Sequence, residues 1–246
     1  MKAYISKSLT GLIDLILPPQ SLLTGDLLDG KIEGDLWGNI TFLDEPCCYA
    51  CGLPFEYDVG SESLCGDCST KHPAYNRARA AFIYDDNSRK LVLSFKHGGR
   101  TEGLYMFIQH MRRAGRSFWT DADYIIPVPL HSSRLIKRRF NQSALLAKSI
   151  AKHVGVEFAA DILFRTRATE SQGGKSPKGR ARNVRGAFAV KAQQRIKDKH
   201  IVLIDDVMTT GATLQSCART LKRAGASHID VVTLARTIRE QSINHA

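Results

Sequence analysis

No stretch of 18 or more apolar residues occurs in this 246-residue chain, and a helix that crosses a bilayer needs about that many, so no membrane span is expected. The apolar opening (Leu12, Ile13, Leu15, Ile16, Leu17) is short, broken by Asp14 and stopped by Pro18-Pro19. No small-residue cleavage site follows it, so it reads as a docking helix rather than a signal peptide. A disulfide framework spread along the chain is also missing. Five of the six cysteines crowd between positions 47 and 68, and Cys217 stands alone, a pattern that fits a reducing, cytoplasmic location. Arginine is absent from residues 1–70, which carry three Lys against eleven Asp and Glu; the remainder holds 32 basic and 13 acidic residues. An acidic head on a basic body implies a polyanionic ligand or nucleic acid for the body, although basic proteins without such a ligand are common. Aromatics make up 8% and do not cluster with the arginines, as the stacking platforms of single-strand binders would. No internal repeat or low-complexity tract is present.

The most informative segment is Ile201-Val202-Leu203-Ile204-Asp205-Asp206-Val207-Met208-Thr209-Thr210-Gly211-Ala212-Thr213. Four apolar residues rich in β-branched types read as a strand buried on both faces, as in a parallel sheet. Leu214, Cys217, Ala218 and Leu221 then follow at helical spacing. The small and hydroxyl residues between offer several backbone N–H groups and Thr hydroxyls to one point, which suits a phosphate. Two carboxylates beside that turn would repel the phosphate unless they meet something else, and sugar hydroxyls or Mg²⁺ are the natural partners. A ribose 5-phosphate satisfies both halves. An ordinary strand running into a capped helix needs an Asp or Thr at the cap, but not two carboxylates followed by Thr-Thr-Gly-Ala-Thr.

This run resembles the phosphoribosyl-pyrophosphate (PRPP) signature of type I phosphoribosyltransferases. The resemblance implies that Asp205 and Asp206 hold the ribose, with Mg²⁺, and that Thr209, Thr210, Gly211, Ala212 and Thr213 bind its 5-phosphate.

Cys48-x2-Cys51, thirteen residues, then Cys65-x2-Cys68 has the spacing of two knuckles that together make a tetrahedral four-sulfur zinc site. Four thiolates leave no open position, so such a zinc is structural. Cys47 cannot share a knuckle with Cys48 and is read as a bystander. Upstream, Pro18-Pro19-Gln20-Ser21-Leu22-Leu23-Thr24-Gly25 is similar to the opening of the double zinc ribbon in ComF-type proteins. Ser21 and Thr24 stand where that family has cysteines, and the positions near Glu33 and Leu36 are not cysteines either. One zinc is expected, with the first ribbon kept only as fold.

The resemblance to the ComF family runs on through the chain. Asp123 to His131 reads as a strand stopped by Pro127 and Pro129. The basic run Arg134, Lys137, Arg138, Arg139 and then Phe140-Asn141-Gln142 follows. By family likeness Val128, Pro129, Arg138 and Arg139 belong to the pyrophosphate loop, a solvated basic helix start being the alternative. The Gly-, Ser- and Arg-rich stretch 165–185 resembles the flexible loop that closes over ligand, and Lys175 and Arg180 would serve there; Lys175 stands where the family pattern has Leu. A plain mobile loop is the alternative. The fold class expected is α/β, a type I phosphoribosyltransferase fold with a mainly parallel sheet flanked by helices and a small N-terminal zinc-ribbon module. The expected divisions are 1–45 (degenerate first ribbon), 46–75 (zinc ribbon), 76–238 (phosphoribosyltransferase domain) and 239–246 (tail).

The function implied is transfer of phosphoribosyl from PRPP to an acceptor that no sequence feature names, with release of pyrophosphate. The alternative implied by the ComF likeness is a non-catalytic accessory of natural competence that handles single-stranded DNA.

Overall fold

The computed structural model describes residues 37–97, 104–131, 135, 140–167 and 177–238. The degenerate-ribbon expectation for residues 1–36, the docking helix, and Arg138, Arg139 and Lys175 lie outside these residues. Of Arg180 only the backbone is described.

The fold is organised by strand β6 (His200–Met208), the middle of a five-stranded sheet ordered β1-β7-β6-β2-β3. The others are β1 (Arg77–Ile83), β2 (Tyr124–Pro127), β3 (Glu157–Phe158) and β7 (His228–Arg236), and every neighbouring pair is parallel. Successive side chains of β6 go to opposite layers. Ile201 and Leu203 join one core cluster, Val202 and Ile204 the other, all at 0% exposure. That is why the strand reads as a continuous apolar run rather than an alternating one. Each such side chain contributes about 1.5–3 kcal/mol of burial free energy.

One layer is supplied by helices α2 (Asp86–His97), α3 (Leu104–Ala114) and α4 (Gln142–Val154), through residues such as Phe95, Phe107 and Ile150. The other comes from α5 (Pro177–Val184), α6 (Gln193–Ile196) and α7 (Ala212–Arg223), through Val184, Ile196, Leu214 and Cys217. A short antiparallel pair, β4 (Leu163–Arg165) with β5 (Phe188–Val190), lies beside this second layer. The loop expected over 165–185 is therefore helical in its last part. Pro177 sits at the first helical position, where its missing N–H costs nothing. Gly186, with φ +66°, turns the chain out of the helix and into β5.

The four-cysteine segment docks on the outer strand β1. Ala78 donates its amide to the Ala50 carbonyl at 2.8 Å, and the Arg79 guanidinium reaches the carbonyl of Tyr49 at 3.1 Å. A short helix α1 (Gly66–Thr70) carries Cys68. Residues 37–45 lie against the main body: Phe42 bridges Phe82 of β1 and stacks 4.1 Å from the His110 ring.

Candidate functional site

Ligands of open parallel sheets gather beyond the carboxyl ends of the strands, and three expected segments meet there. Asp205 and Asp206 lie in the carboxyl-terminal half of β6, both half-buried. The backbone of Val128, just beyond β2, donates to the Ile204 carbonyl at 2.9 Å, so the Val128-Pro129 turn sits beside the acidic pair. Asn141 explains the Phe-Asn-Gln motif. It caps α4 by accepting the Ser143 amide at 3.1 Å, and its side-chain NH₂ donates to the Val128 carbonyl at 3.1 Å. One residue thus starts the helix and pins the turn.

The acidic pair is held from several sides. The Ser143 hydroxyl donates to Asp205 Oδ1 at 2.9 Å, and the Asp206 amide donates to the same oxygen at 2.9 Å. Asp206 Oδ1 accepts the Val207 amide at 2.6 Å. Residues Thr209 to Gly211 then turn the chain into α7. Gly211 has φ +67°, a left-handed conformation that a side chain resists, and its carbonyl accepts the first helical N–H, from Gln215, at 2.8 Å. The remaining N-terminal amides of α7 and its positive dipole end face this loop. Among its hydroxyls, Thr210 Oγ1 is buried with no hydrogen-bond partner. A buried hydroxyl left so costs roughly 1–3 kcal/mol, which an acceptor oxygen such as a phosphate's would relieve.

Beside this loop lies a cleft of about 170 Å³ whose opposite wall is the cysteine module. Cys48, Cys51, Cys65 and Cys68 are brought together, their sulfurs all within 4.8 Å of one another. Two tight turns do this. Gly52 donates to the Cys48 carbonyl at 2.8 Å, and Cys68 to the Cys65 carbonyl at 2.9 Å. Crowding divides the thiols by acidity. Hydrogen bonds from Cys51, Cys65 and Cys68 hold Cys48 far below the usual thiol value; bonding to Cys48, with burial, pushes Cys68 far above it. Four crowded sulfurs, three of them on buried residues, that cannot all keep their protons comfortably are a donor set for a soft dication. Cys47 stands apart in a bridge to Pro54, and Cys217 lies in the core with its thiol pushed up by burial.

Ser143, Tyr75, Gln215 and Arg236 also belong to this region and were not expected from the sequence. Tyr75, Gln215 and Arg236 line the cleft. The signal for Ser143 was its place two residues after the motif asparagine. For Arg236 no local signal existed, because its partner Cys51 is 185 residues away.

A second ligand-type cluster, His200, His228 and Asp230, sits at the opposite, amino-terminal edge of the sheet. Its carboxylate is already engaged. Arg77 grips it in two-point fashion, Nη2 to Oδ2 at 2.7 Å and Nε to Oδ1 at 3.2 Å, so the cluster reads as a clamp joining β1, β6 and β7.

The family model described as phosphoribosyl transferase domain matches residues 141–242. The DNA utilization protein YhgH of Salmonella typhi is 35% identical over 197 residues, covering 78% of this chain and 84% of that one. Competence protein F of Haemophilus influenzae is 28% identical, covering 78% and 85%. Competence protein ComFC of Bacillus subtilis is 26% identical, covering 86% and 94%. With the acidic pair, the glycine turn and the helix start all at the carboxyl end of a parallel sheet, and four cysteines gathered ahead of it, the chain belongs to the ComF family of proteins built on a type I phosphoribosyltransferase domain.

Proposed function

We propose that the protein binds Mg²⁺–PRPP and transfers its phosphoribosyl group to an acceptor, releasing pyrophosphate. The observation that carries this reading is the buried, unpartnered Thr210 hydroxyl in a helix-start loop that directly follows two fixed carboxylates. Asp205 and Asp206 hold the ribose hydroxyls and orient the anomeric carbon. Thr209 to Thr213, with the amides of the first turn of α7, bind the 5-phosphate. The Val128-Pro129 turn, with Arg138 and Arg139, receives the pyrophosphate, and Lys175 and Arg180 close over it. The bond from the anomeric carbon to pyrophosphate breaks as the bond to the acceptor forms, through an oxocarbenium-like transition state. The protein's own part is positioning and charge stabilisation. Mg²⁺, for which the carboxylate pair is a suitable donor set, supplies neutralisation of the pyrophosphate charge. Cys48, Cys51, Cys65 and Cys68 hold one zinc ion in a closed, structural site.

Calorimetric titration of Mg²⁺–PRPP into the zinc-loaded protein tests this. Binding that Asp205→Asn/Asp206→Asn abolishes supports the site, and a folded protein giving no heat overturns it.

A second reading is favoured by a separate observation. A groove of about 940 Å³ between α5 and α7 is lined by Lys71, Arg182, Arg185, Arg219 and Arg223, with no carboxylate among the described residues of its walls. Together with the relatives' names, this supports a role in handling DNA during uptake. Arg219 and Arg223 are one helical turn apart, so neighbouring cations track along one side. Backbone binding of this kind falls steeply with salt. Single-strand affinity that is insensitive to salt, or to Arg219→Glu/Arg223→Glu, overturns it.

A further inference from the structure

Arg236 is the last residue of β7 and only 7% exposed. Its Nη1 donates to the Cys51 carbonyl at 2.5 Å and lies 3.9 Å from the Cys51 sulfur. In the sheet it stands opposite Met208, the last residue of β6. The following residue fastens the loop itself. Thr237 donates its amide to the Met208 carbonyl at 3.0 Å and its hydroxyl to the Thr209 carbonyl at 3.2 Å. Two consecutive residues therefore reach the cysteine module on one side and the phosphate loop on the other. Two further ties run in parallel. The Ala74 amide donates to Gln215 Oε1 in the first turn of α7 at 2.8 Å. The Tyr75 hydroxyl stands over Gly211, 3.8 Å from where a β-carbon there would be.

We infer that Arg236 and Thr237 couple the four-cysteine metal site to the phosphate loop, so that filling either site tightens the other. The inference rests on the phosphate-loop reading above. A dication held by four thiolates leaves net negative charge on the module, and Arg236 is the buried cation that meets it at Cys51. Cations in this outer position orient the ligand groups and tune metal affinity. With Arg236 drawn to Cys51, the end of β7 is fixed, and through Thr237 the carbonyls of Met208 and Thr209 are fixed with it. The loop is then shaped before the anion arrives. With the metal absent, the module gives up this hold, and ordering the loop is added to the cost of binding. Linkage makes the effect reciprocal: a phosphate ligand must raise metal affinity by the factor by which metal raises ligand affinity.

The test is a zinc competition against a chromophoric chelator on the full-length chain, with and without saturating ribose 5-phosphate, whose binding to the zinc-loaded protein is first measured by calorimetry. The expected result is zinc affinity raised about five-fold or more by the ligand, the lower end of ordinary site-to-site coupling. Arg236→Met is expected to bind zinc and ligand separately but to lose most of that factor. Thr237→Val, which replaces only the hydroxyl by a methyl group, keeps the test decisive should the arginine variant fold poorly, and it too is expected to reduce the factor. Measurable ligand heat with unchanged zinc affinity overturns the coupling while leaving the phosphate site intact. Full coupling in the folded variants overturns the assignment to these two residues. No ligand heat at all overturns the phosphate-loop reading and the coupling with it.

Discussion

The Ser143 hydroxyl donates to Asp205 Oδ1 at 2.9 Å, bridging the first turn of α4 to the end of the central strand across 62 residues of chain. Ser143 is 4% exposed, so water does not replace this bond when it is lost. Asp205 then keeps only its other contacts to choose its rotamer. Ser143→Ala should weaken Mg²⁺–PRPP binding about ten-fold or more, in line with roughly 1.5–3 kcal/mol for one hydrogen bond to a charged acceptor. Folding should lose no more than this one buried bond, because the cap of α4 uses the Ser143 backbone amide, which the variant keeps. Calorimetry and urea denaturation on the same sample separate the two effects. An unchanged affinity would mean that Asp205 does not depend on this hydroxyl.

What could be read from the sequence was what local chemistry encodes. The run Ile201 to Ile204 had to be a strand buried on both faces, and it is the middle strand of the sheet. The knuckle spacing brought the four sulfurs to one point. The helix at Pro177–Val184 has no apolar period, being rich in Gly, Arg and Lys, and among its described side chains only Val184 is buried in the core. The partners Ser143–Asp205 and Cys51–Arg236 were invisible for a different reason. Nothing in the neighbourhood of either residue records which distant strand end the fold will bring beside it.

Acid should destabilise the protein in two steps, the first through His228 and the second through Asp230. Burial alone would raise this carboxyl, but hydrogen bonds from His200 and Arg77 more than reverse the effect and hold it below its ordinary value of 3.8. His228 is held below its ordinary 6.5, first by burial and then by the neighbouring His200 and Arg77 charges, against the pull of Asp230. The unfolded chain therefore takes up a proton at His228 before the folded one does, and stability falls as pH drops below about 6.5. The Asp230 contribution is complete above its unfolded value and is lost only as pH falls through its lower folded value. Urea midpoints from pH 8 to 3 should show a first decline setting in below about 6.5 and a second setting in below about 3.8. His228→Gln should flatten the first and, because the His228 charge helps hold Asp230 down, weaken the second without removing it. A first decline unchanged in the variant would assign it to other groups.

Metal analysis of the purified protein should return one zinc per chain. The positions expected to carry the other four ligands hold Ser21, Thr24 and residues near Glu33 and Leu36, which cannot form a thiolate site. Cys65→Ser should reduce the content to near zero and lower the melting temperature. The module's own core is small, built on Ala50 and Leu53 around the cysteines, so metal binding is much of what orders it. Two equivalents in the wild type would show that the first segment keeps a site made from other residues.

Two glycines with the same backbone conformation should fail in different ways. Gly52 and Gly211 both have φ +67°, and a side chain in that region costs about 1–2 kcal/mol. At Gly52 a β-carbon would also come 2.4 Å from the Ala78 carbonyl oxygen of β1, a backbone atom fixed in the sheet. Gly52→Ala must push the first knuckle off the strand, so zinc content and stability should fall together. At Gly211 the nearest atoms to an added β-carbon are the Tyr75 hydroxyl at 3.8 Å and the Met208 sulfur at 3.9 Å, which is ordinary contact. Gly211→Ala should fold and keep its zinc, while the strain falls on the turn that presents the α7 amides. Mg²⁺–PRPP affinity should drop about ten-fold, as ~1.4 kcal/mol of strain relieved by distorting the loop would require. Zinc content, urea midpoint and calorimetric affinity on the two variants check this. Equal PRPP affinity in Gly211→Ala and wild type would remove the turn from the binding site.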